Sequence, residues 1–259
     1  MDKPKVFVLT RFAEEIGHRG AGFSTDWWDW RIVLLKQWTE PSLRRQSAKN
    51  FEWLVSISET AIPQQRQALV DAVAGFATVV VQKGLAPSED VFRAHLQNEK
   101  GPYWTVRLDS DDMIHPDFIA TLSSERLPVG AVLSFSSGVI LDLGTPFLGL
   151  RRLSNNPFLA HLGEKGDNVF DLGHHGKVSF ANANFFFARD NRVPMWLQLV
   201  HGGNQANRVM PWDRPALTGN VLKMFGVLPP KLNVSQLSPF RWLDFLRHLV
   251  FFKMSKARR

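Results

Sequence analysis

Over residues 1–108, runs of nearly unbroken apolar sequence alternate with helix-like segments, and each run ends on polar or charged side chains. Residues 5–10 leave through Arg11 and Phe12, and residues 51–57 through Ser58, Glu59 and Thr60. Residues 77–81 form a shorter run, and residues 103–108 lead into Asp109-Ser110-Asp111-Asp112. Strands that are apolar on both faces belong to a parallel sheet covered by helices. The intervening segments supply those helices. They are 27–38, whose apolar character is interrupted by Arg31; 42–48, with Pro41 in its first turn; 64–74; and 88–97, with Ser88 as its cap. The pattern predicts an α/β fold with a mostly parallel sheet flanked by helices. In such a sheet ligands bind beyond the C-terminal ends of the strands, where these polar residues fall.

The turn after residues 103–108 carries the sharpest chemistry. Three carboxylates within four residues, Asp109, Asp111 and Asp112, repel one another unless positive charge sits among them. A divalent cation held by oxygen ligands and bridging a substrate's phosphates meets that need. A solvated turn whose aspartates cap the next helix, expected at 117–122 behind Pro116, is the plain alternative. Arg11 and Arg107 stand near strand ends, where a guanidinium pairs with phosphate in bidentate fashion. Arg107 equally suits an ion pair that holds the acidic turn together.

The second half is organised differently. Residues 129–135 and 139–143, split by Ser136-Ser137-Gly138, predict a β-hairpin. Residues 144–178 are rich in Gly, Pro and Asn, with a short helix expected at 157–162. A strand centred on Phe185-Phe186-Phe187 follows, and 200–208 read as a loop. With no repeat and no linker in view, residues 1–238 are expected to form one domain, followed by a basic tail at 239–259.

The formal charge is +7, yet the last nineteen residues hold six basic side chains against Asp244 alone, so the body is only mildly basic. This distribution speaks against nucleic acid as the partner. In the tail, Trp242, Leu243, Phe245, Leu246, Leu249 and Val250 repeat at helical spacing beside Arg241, Arg247, His248 and Lys253. A basic amphipathic helix of this kind lies in an anionic membrane interface or packs on the protein's own body. The absence of Cys excludes a disulfide framework and Cys-ligated zinc. No leader-like run is read at the N-terminus, and no stretch approaches the roughly 20 apolar residues of a membrane span. A cytoplasmic protein, peripheral at the inner face of the membrane, is therefore expected. Most of the nine Trp and twenty Phe are assigned to the core. Trp196 and Trp212 are candidates for stacking on sugar faces.

Two motifs and the opening strand carry a resemblance. Ser42-Leu43-Arg44-Arg45-Gln46 has the form S-L-x-x-Q and is followed by Asn50-Phe51-Glu52 and a strand. Leu108-Asp109-Ser110-Asp111-Asp112 is followed by His115-Pro116-Asp117. Together with Leu9-Thr10-Arg11-Phe12, these resemble the rhamnosyltransferase family of GT-A type nucleotide-sugar glycosyltransferases. The likeness covers residues 5–125; beyond it only Asn156-Pro157-Phe158, His175, and His201 with Asn204 correspond.

The resemblance implies a GT-A (Rossmann-like) fold, with a nucleotide-binding half at 1–125 and an acceptor-side half at 126–238. It implies a nucleoside-diphosphate sugar donor, rhamnose by the family's label, and a glycan or lipid-linked acceptor. It also implies Mn²⁺ or Mg²⁺ on Asp111 with Asp109, completed by His201, beside which Gly202-Gly203 allow close backbone approach. Asp112 is then structural, and His174-His175 are a second candidate for the metal. Thr10, Arg11, Glu59, Arg107 and Asp109 fall to the nucleotide, Asp109 being shared between metal and ribose. Relatives carry acidic residues after the second strand that touch the base; here Glu59 alone stands in that place. If transfer inverts the anomeric carbon, Glu164, Asp167 and Asp171 are the candidates for the base. Two competing readings are a two-metal phosphoester hydrolase built on the Asp cluster and a non-catalytic membrane- or polyanion-binding module built on the tail.

Overall fold

The computed structural model describes residues 3–13, 24–84, 86–144, 147–182, 184–202, 207–216 and 220–226. The helix expected in the tail at 239–259, together with Gly203 and Asn204, lies outside the described residues.

Strand β1 (Lys5–Ala13) is the hub of the sheet. Helix α1 (Thr25–Leu34) begins at Ser24, whose Oγ accepts the Trp27 N–H at 3.2 Å. It passes through a π turn, Leu35–Thr39, directly into α2 (Glu40–Arg44). The two helices expected here are thus one continuous path. The wider turn lies just before Pro41, where the missing N–H leaves a carbonyl without its usual partner.

Strands and helices then alternate as the apolar runs required: β2 (Phe51–Ser58), α3 (Pro63–Val73), β3 (Thr78–Gln82), α4 (Ser88–Leu96) and β4 (Tyr103–Arg107). β1 pairs in parallel with β2 and with β4, and β2 with β3. Along β1, Val6 and Val8 join the cluster with Trp28, Leu69 and Phe118, while Phe7 and Leu9 join the one with Phe92 and Tyr103. That period of two, apolar on both sides, is why the strand is fully buried from Val6 to Thr10.

After β4 come β5 (Met113–Ile114) and α5 (Phe118–Ser124). The second half adds β6 (Val132–Phe135), β7 (Ser137–Asp142), β8 (Phe147–Arg152), β9 (Ala160–Gly163), α6 (Val178–Ala181), β10 (Phe186–Arg189), β11 (Trp196–Val200), β12 (Arg214–Pro215) and α7 (Asn220–Lys223). The strands form a seven-stranded sheet, β10-β6-β9-β4-β1-β2-β3, and a five-stranded sheet, β12-β8-β7-β11-β5. β4 belongs to the first and β5 to the second, so the acidic turn joins the two sheets. Among the described residues no helix is long and apolar enough to cross a membrane.

Two expectations for the second half are corrected. β6 and β7 are not a hairpin: β6 pairs with β9 and β10, while β7 pairs with β8 and β11. Gly138 is not a turn residue. It sits in β7 opposite Trp196, and a Cβ there would overlap the Trp196 ring. The glycine makes room for an indole that stacks on Phe158 at 5.0 Å and donates to the Phe135 carbonyl at 2.7 Å. Trp196 is therefore core and offers no face to a sugar. The helix expected at 157–162 is replaced by β9, antiparallel to β4. Asn156 takes up the chain just before it, accepting from Phe158 N and donating to Ser134 Oγ and the Phe135 carbonyl.

Candidate active site

The turn is built by β4 leaving the sheet. Leu108 N–H still reaches the Leu9 carbonyl on β1 at 3.1 Å, and Asp112 N–H closes onto the Asp109 carbonyl at 3.1 Å. Ser110, Asp111 and Asp112 are buried, whereas the Asp109 side chain keeps 29% of its surface.

Each carboxylate meets a different answer to the repulsion. Asp109 is gripped by Arg107 through Nε at 3.2 Å and Nη2 at 3.1 Å. Burial pushes its carboxyl up, but Arg107, aided by Arg11 and Arg31, more than offsets this and holds it below the usual range. Asp111 accepts from Arg31 Nη1 at 2.8 Å on Oδ2 and from Nη2 at 3.3 Å on Oδ1; Arg31 Nη2 also bonds Ser110 Oγ. His201 Nε2 lies 2.8 Å from the same Oδ2. Burial again works against ionisation, and the His201 bond and Arg31 charge again win, so Asp111 is lowered. Asp112 goes the other way. Burial, then the charges of Asp111 and Asp109, raise its carboxyl well above the normal range. Its Oδ1 accepts Leu199 N–H at 2.9 Å, and its buried Oδ2 has no partner among the described residues.

His201 follows β11, which returns beside β5 and carries it to Asp111. The Trp30 indole N–H donates to its Nδ1 at 3.4 Å. An indole nitrogen only donates, so Nδ1 accepts and the neutral ring carries its proton on Nε2, toward Asp111.

Arg11 and Arg107 share one aromatic platform, their guanidinium carbons 4.7 Å and 5.9 Å from the Phe170 ring centroid. Phe170 stacks in turn on Phe92 of α4 at 5.4 Å. His175 stacks on His174 at 4.6 Å, and burial, the Arg107 charge and then His174 depress it to about 4. It is thus a neutral imidazole within the field of Arg107 and Asp109.

The structure does not gather the whole predicted set. Asp111 and His201 meet, but Asp109 belongs to Arg107. Among the described residues no group of three or more His, Cys, Asp or Glu is placed to hold a metal. Thr10 is buried within β1, its Oγ1 accepting from Trp53 Nε1 at 2.9 Å. Glu59 stands at the correct sheet edge, accepting Gly84 N–H at 2.6 Å. A Cβ at Gly202 would meet no described atom within 4 Å.

Two of the three base candidates lie toward the other end of β4. Register places Gly163 opposite Tyr103, so Glu164 and Asp167 sit past the start of β4, roughly 13 Å along the strand from Arg107. Asp167 lies 3.8 Å from Arg93. Asp171 accepts from Arg93 at 2.6 Å and caps its own short helix through Asn168 N–H at 2.7 Å. Trp212 is 57% exposed. Trp30, Arg31 and Ser110 were not among the expected site residues. Their one signal was Arg31, a charge that interrupts the apolar positions of its helix.

The fold is a mostly parallel central sheet flanked by helices, with an acidic turn at the C-terminal end of β4. The sequence matches the family described as "Putative rhamnosyl transferase" over residues 11–213, and the chain belongs to that family. No curated protein matches it. Among solved structures it is similar to TarS of S. aureus in complex with UDP-GlcNAc, at 13% identity and a TM-score of 0.45, covering 80% of this chain and 62% of that one. It is similar to the glycosyltransferase GlyE of Streptococcus pneumoniae TIGR4, at 11% identity and 0.44, covering 91% of this chain and 63% of that one. The inositol-1-phosphate CTP transferase of T. maritima is similar at 12% and 0.42, covering 87% and 96%. The chain thus spans less than two thirds of TarS and GlyE.

Proposed function

We propose that the chain transfers a sugar, rhamnose as the family's name has it, from a nucleoside diphosphate to a glycan or lipid-linked acceptor. The observation that carries this reading is the turn Asp109–Asp112 at the end of β4, ringed by Arg11, Arg31 and Arg107. Asp109 and Asp111 are held ionised and Asp112 favours its proton. Three guanidiniums thus gather on one turn, and such a cluster suits an anionic diphosphate. Arg11 and Arg107, set against one ring, are pre-positioned for bidentate phosphate contact at the edge where ligands bind. Fixed cations at the leaving group stabilise charge as it develops there and require no reorganisation during reaction.

Asp111 and His201 would hold Mn²⁺ or Mg²⁺ as a pair of protein ligands once Arg31 is drawn off Asp111. Asp111 Oδ2 and His201 Nε2 converge at 2.8 Å, an oxygen and an imidazole nitrogen. Such ions are commonly held by one or two side chains, with substrate phosphates completing the shell. When bound, the ion would neutralise charge on the departing diphosphate. Asp109 stays with Arg107 and keeps one edge open toward a ribose. A two-metal hydrolase would need more ligands at the turn than the described residues bring there. The basic tail at 239–259 would hold the enzyme at an anionic surface near a lipid-linked acceptor. Equal sedimentation with anionic vesicles by the full chain and one ending at residue 238 would reject that role.

Calorimetric titration with uridine, guanosine and deoxythymidine diphosphates, with and without Mn²⁺, tests the proposal. One nucleotide should bind, more tightly with Mn²⁺, and the Mn²⁺-dependent gain should vanish in Asp111→Ala. Absence of binding by all three would overturn it.

A further inference from the structure

The geometry points to a latch. Arg31, with Trp30 beside it, closes the Asp111–His201 pair against free metal, and the donor's diphosphate opens it by taking over the Arg31 guanidinium. This rests on the nucleotide-sugar reading of the site and adds what its helix α1 does.

Three observations carry it. First, Arg31 occupies the atom the metal needs. Its Nη1 lies 2.8 Å from Asp111 Oδ2, the oxygen that also faces His201, while Nη2 covers Oδ1 at 3.3 Å. The two side chains are only 13% and 4% exposed. A desolvated ion pair of this kind is not the weak, solvent-screened contact of a surface salt bridge.

Second, Trp30 fixes the wrong tautomer for coordination. Its N–H on Nδ1 leaves the proton of the neutral ring on Nε2. Ligation through Nε2 would move that proton to Nδ1, where it would face another donor. The Trp30 bond must therefore break as well. Both latching residues are consecutive in α1, and Trp28 of the same helix is buried against Phe12 with ring centroids 5.2 Å apart. The helix is anchored, so release falls to the Arg31 and Trp30 side chains.

Third, Arg31 is under-used where it stands. Its Nε is buried with no partner among the described residues. A diphosphate at the turn offers several oxygens to the guanidinium fork. Moving there exchanges one anion for another and uncovers Asp111 Oδ2 at the moment the donor is present. The metal would thus be taken up with the nucleotide rather than before it. A purely structural Arg31–Asp111 pair has none of these consequences for metal affinity.

The test reads metal binding to the full chain without nucleotide. Free Mn²⁺ is followed by electron paramagnetic resonance for wild type, Arg31→Met and Trp30→Phe, with circular dichroism to confirm folding. Arg31→Met should bind Mn²⁺ about tenfold or more tightly than wild type, because a competing charge has left a buried carboxylate oxygen. Trp30→Phe, which keeps a ring but loses the donor, should shift affinity the same way. Arg31→Met should also bind the nucleoside diphosphate about tenfold more weakly without metal. Mn²⁺ affinities within about twofold of wild type in both variants would overturn the latch, and Trp30→Phe alone decides if Arg31→Met does not fold. Unchanged diphosphate affinity in Arg31→Met would overturn the hand-over. If no nucleoside diphosphate binds even to wild type, the functional reading fails, while the Mn²⁺ comparison still reads the latch by itself.

Discussion

Arg31 and Asp111 are 80 residues apart in the chain and 2.8 Å apart in space. Their pairing ties α1 to the turn after β4 and, through His201, to the end of β11. It also answers the charge problem of the turn. Arg107, Arg31 and Arg11 draw the carboxyls of Asp109 and Asp111 down, while burial and those two neighbours push Asp112 up. The turn can therefore exist before any ligand arrives.

Asp111→Ala removes the acceptor of Arg31 and His201 together. Leaving a buried charge without its partner costs about 3–5 kcal/mol. Asp111→Asn, which keeps an acceptor for Arg31, should lose less. Both should lower sugar transfer by about 100-fold or more. Urea denaturation and turnover measured side by side check this; wild-type turnover in Asp111→Ala would remove Asp111 from the site.

Asp112 makes stability depend on pH. Its folded-state carboxyl is raised above the unfolded value. The held proton therefore contributes stability below the unfolded pKa, about 3.9, and that contribution is lost as pH rises through the folded pKa. Asp112→Asn is neutral throughout and keeps the acceptor for Leu199 N–H. The difference in unfolding free energy should shift in favour of Asp112→Asn as pH climbs above about 4. A constant difference from pH 4 to pH 8 would contradict the buried, protonated assignment.

His175 acts in the opposite direction. Its folded-state pKa is depressed to about 4 from 6.5. The neutral ring contributes stability above the unfolded pKa, and this is lost as pH falls through the folded one. Wild type should therefore lose stability more steeply than His175→Gln between pH 6.5 and pH 4. Parallel denaturation curves over that window would contradict the burial of the His175 ring beside Arg107.

Gly138 is the position where sequence and structure part most clearly. Gly138→Ala drives a methyl group into the Trp196 ring, and overpacking of this kind costs about 1–3 kcal/mol. The urea midpoint should fall accordingly; an unchanged midpoint would mean that the indole can move aside.

The parallel sheet was legible because β1, β2 and β4 are apolar on both faces, a pattern few other environments produce. The acidic turn was legible because three aspartates cluster within four residues. Gly138 was misread because Ser-Ser-Gly is turn composition, while its partner Trp196 lies 58 positions away and no local pattern reveals it. β9 looked helical because a four-residue buried strand has no room to show a period. Arg31 showed only as a polar break in α1, since what it touches is decided by the packing of α1 over the sheet edge. Glu164 and Asp167 looked available as bases because nothing local shows that β9 runs antiparallel to β4 and carries them to the far end.

The most direct test is a crystal structure of the full chain with Mn²⁺ and the nucleoside diphosphate that calorimetry selects. The diphosphate oxygens are expected at hydrogen-bonding distance, about 3 Å, from the Arg31 guanidinium, beside the turn at Asp109–Asp112, with Arg31 released from Asp111. A diphosphate bound away from that turn, with the Arg31–Asp111 pair intact, would contradict the assignment of the site.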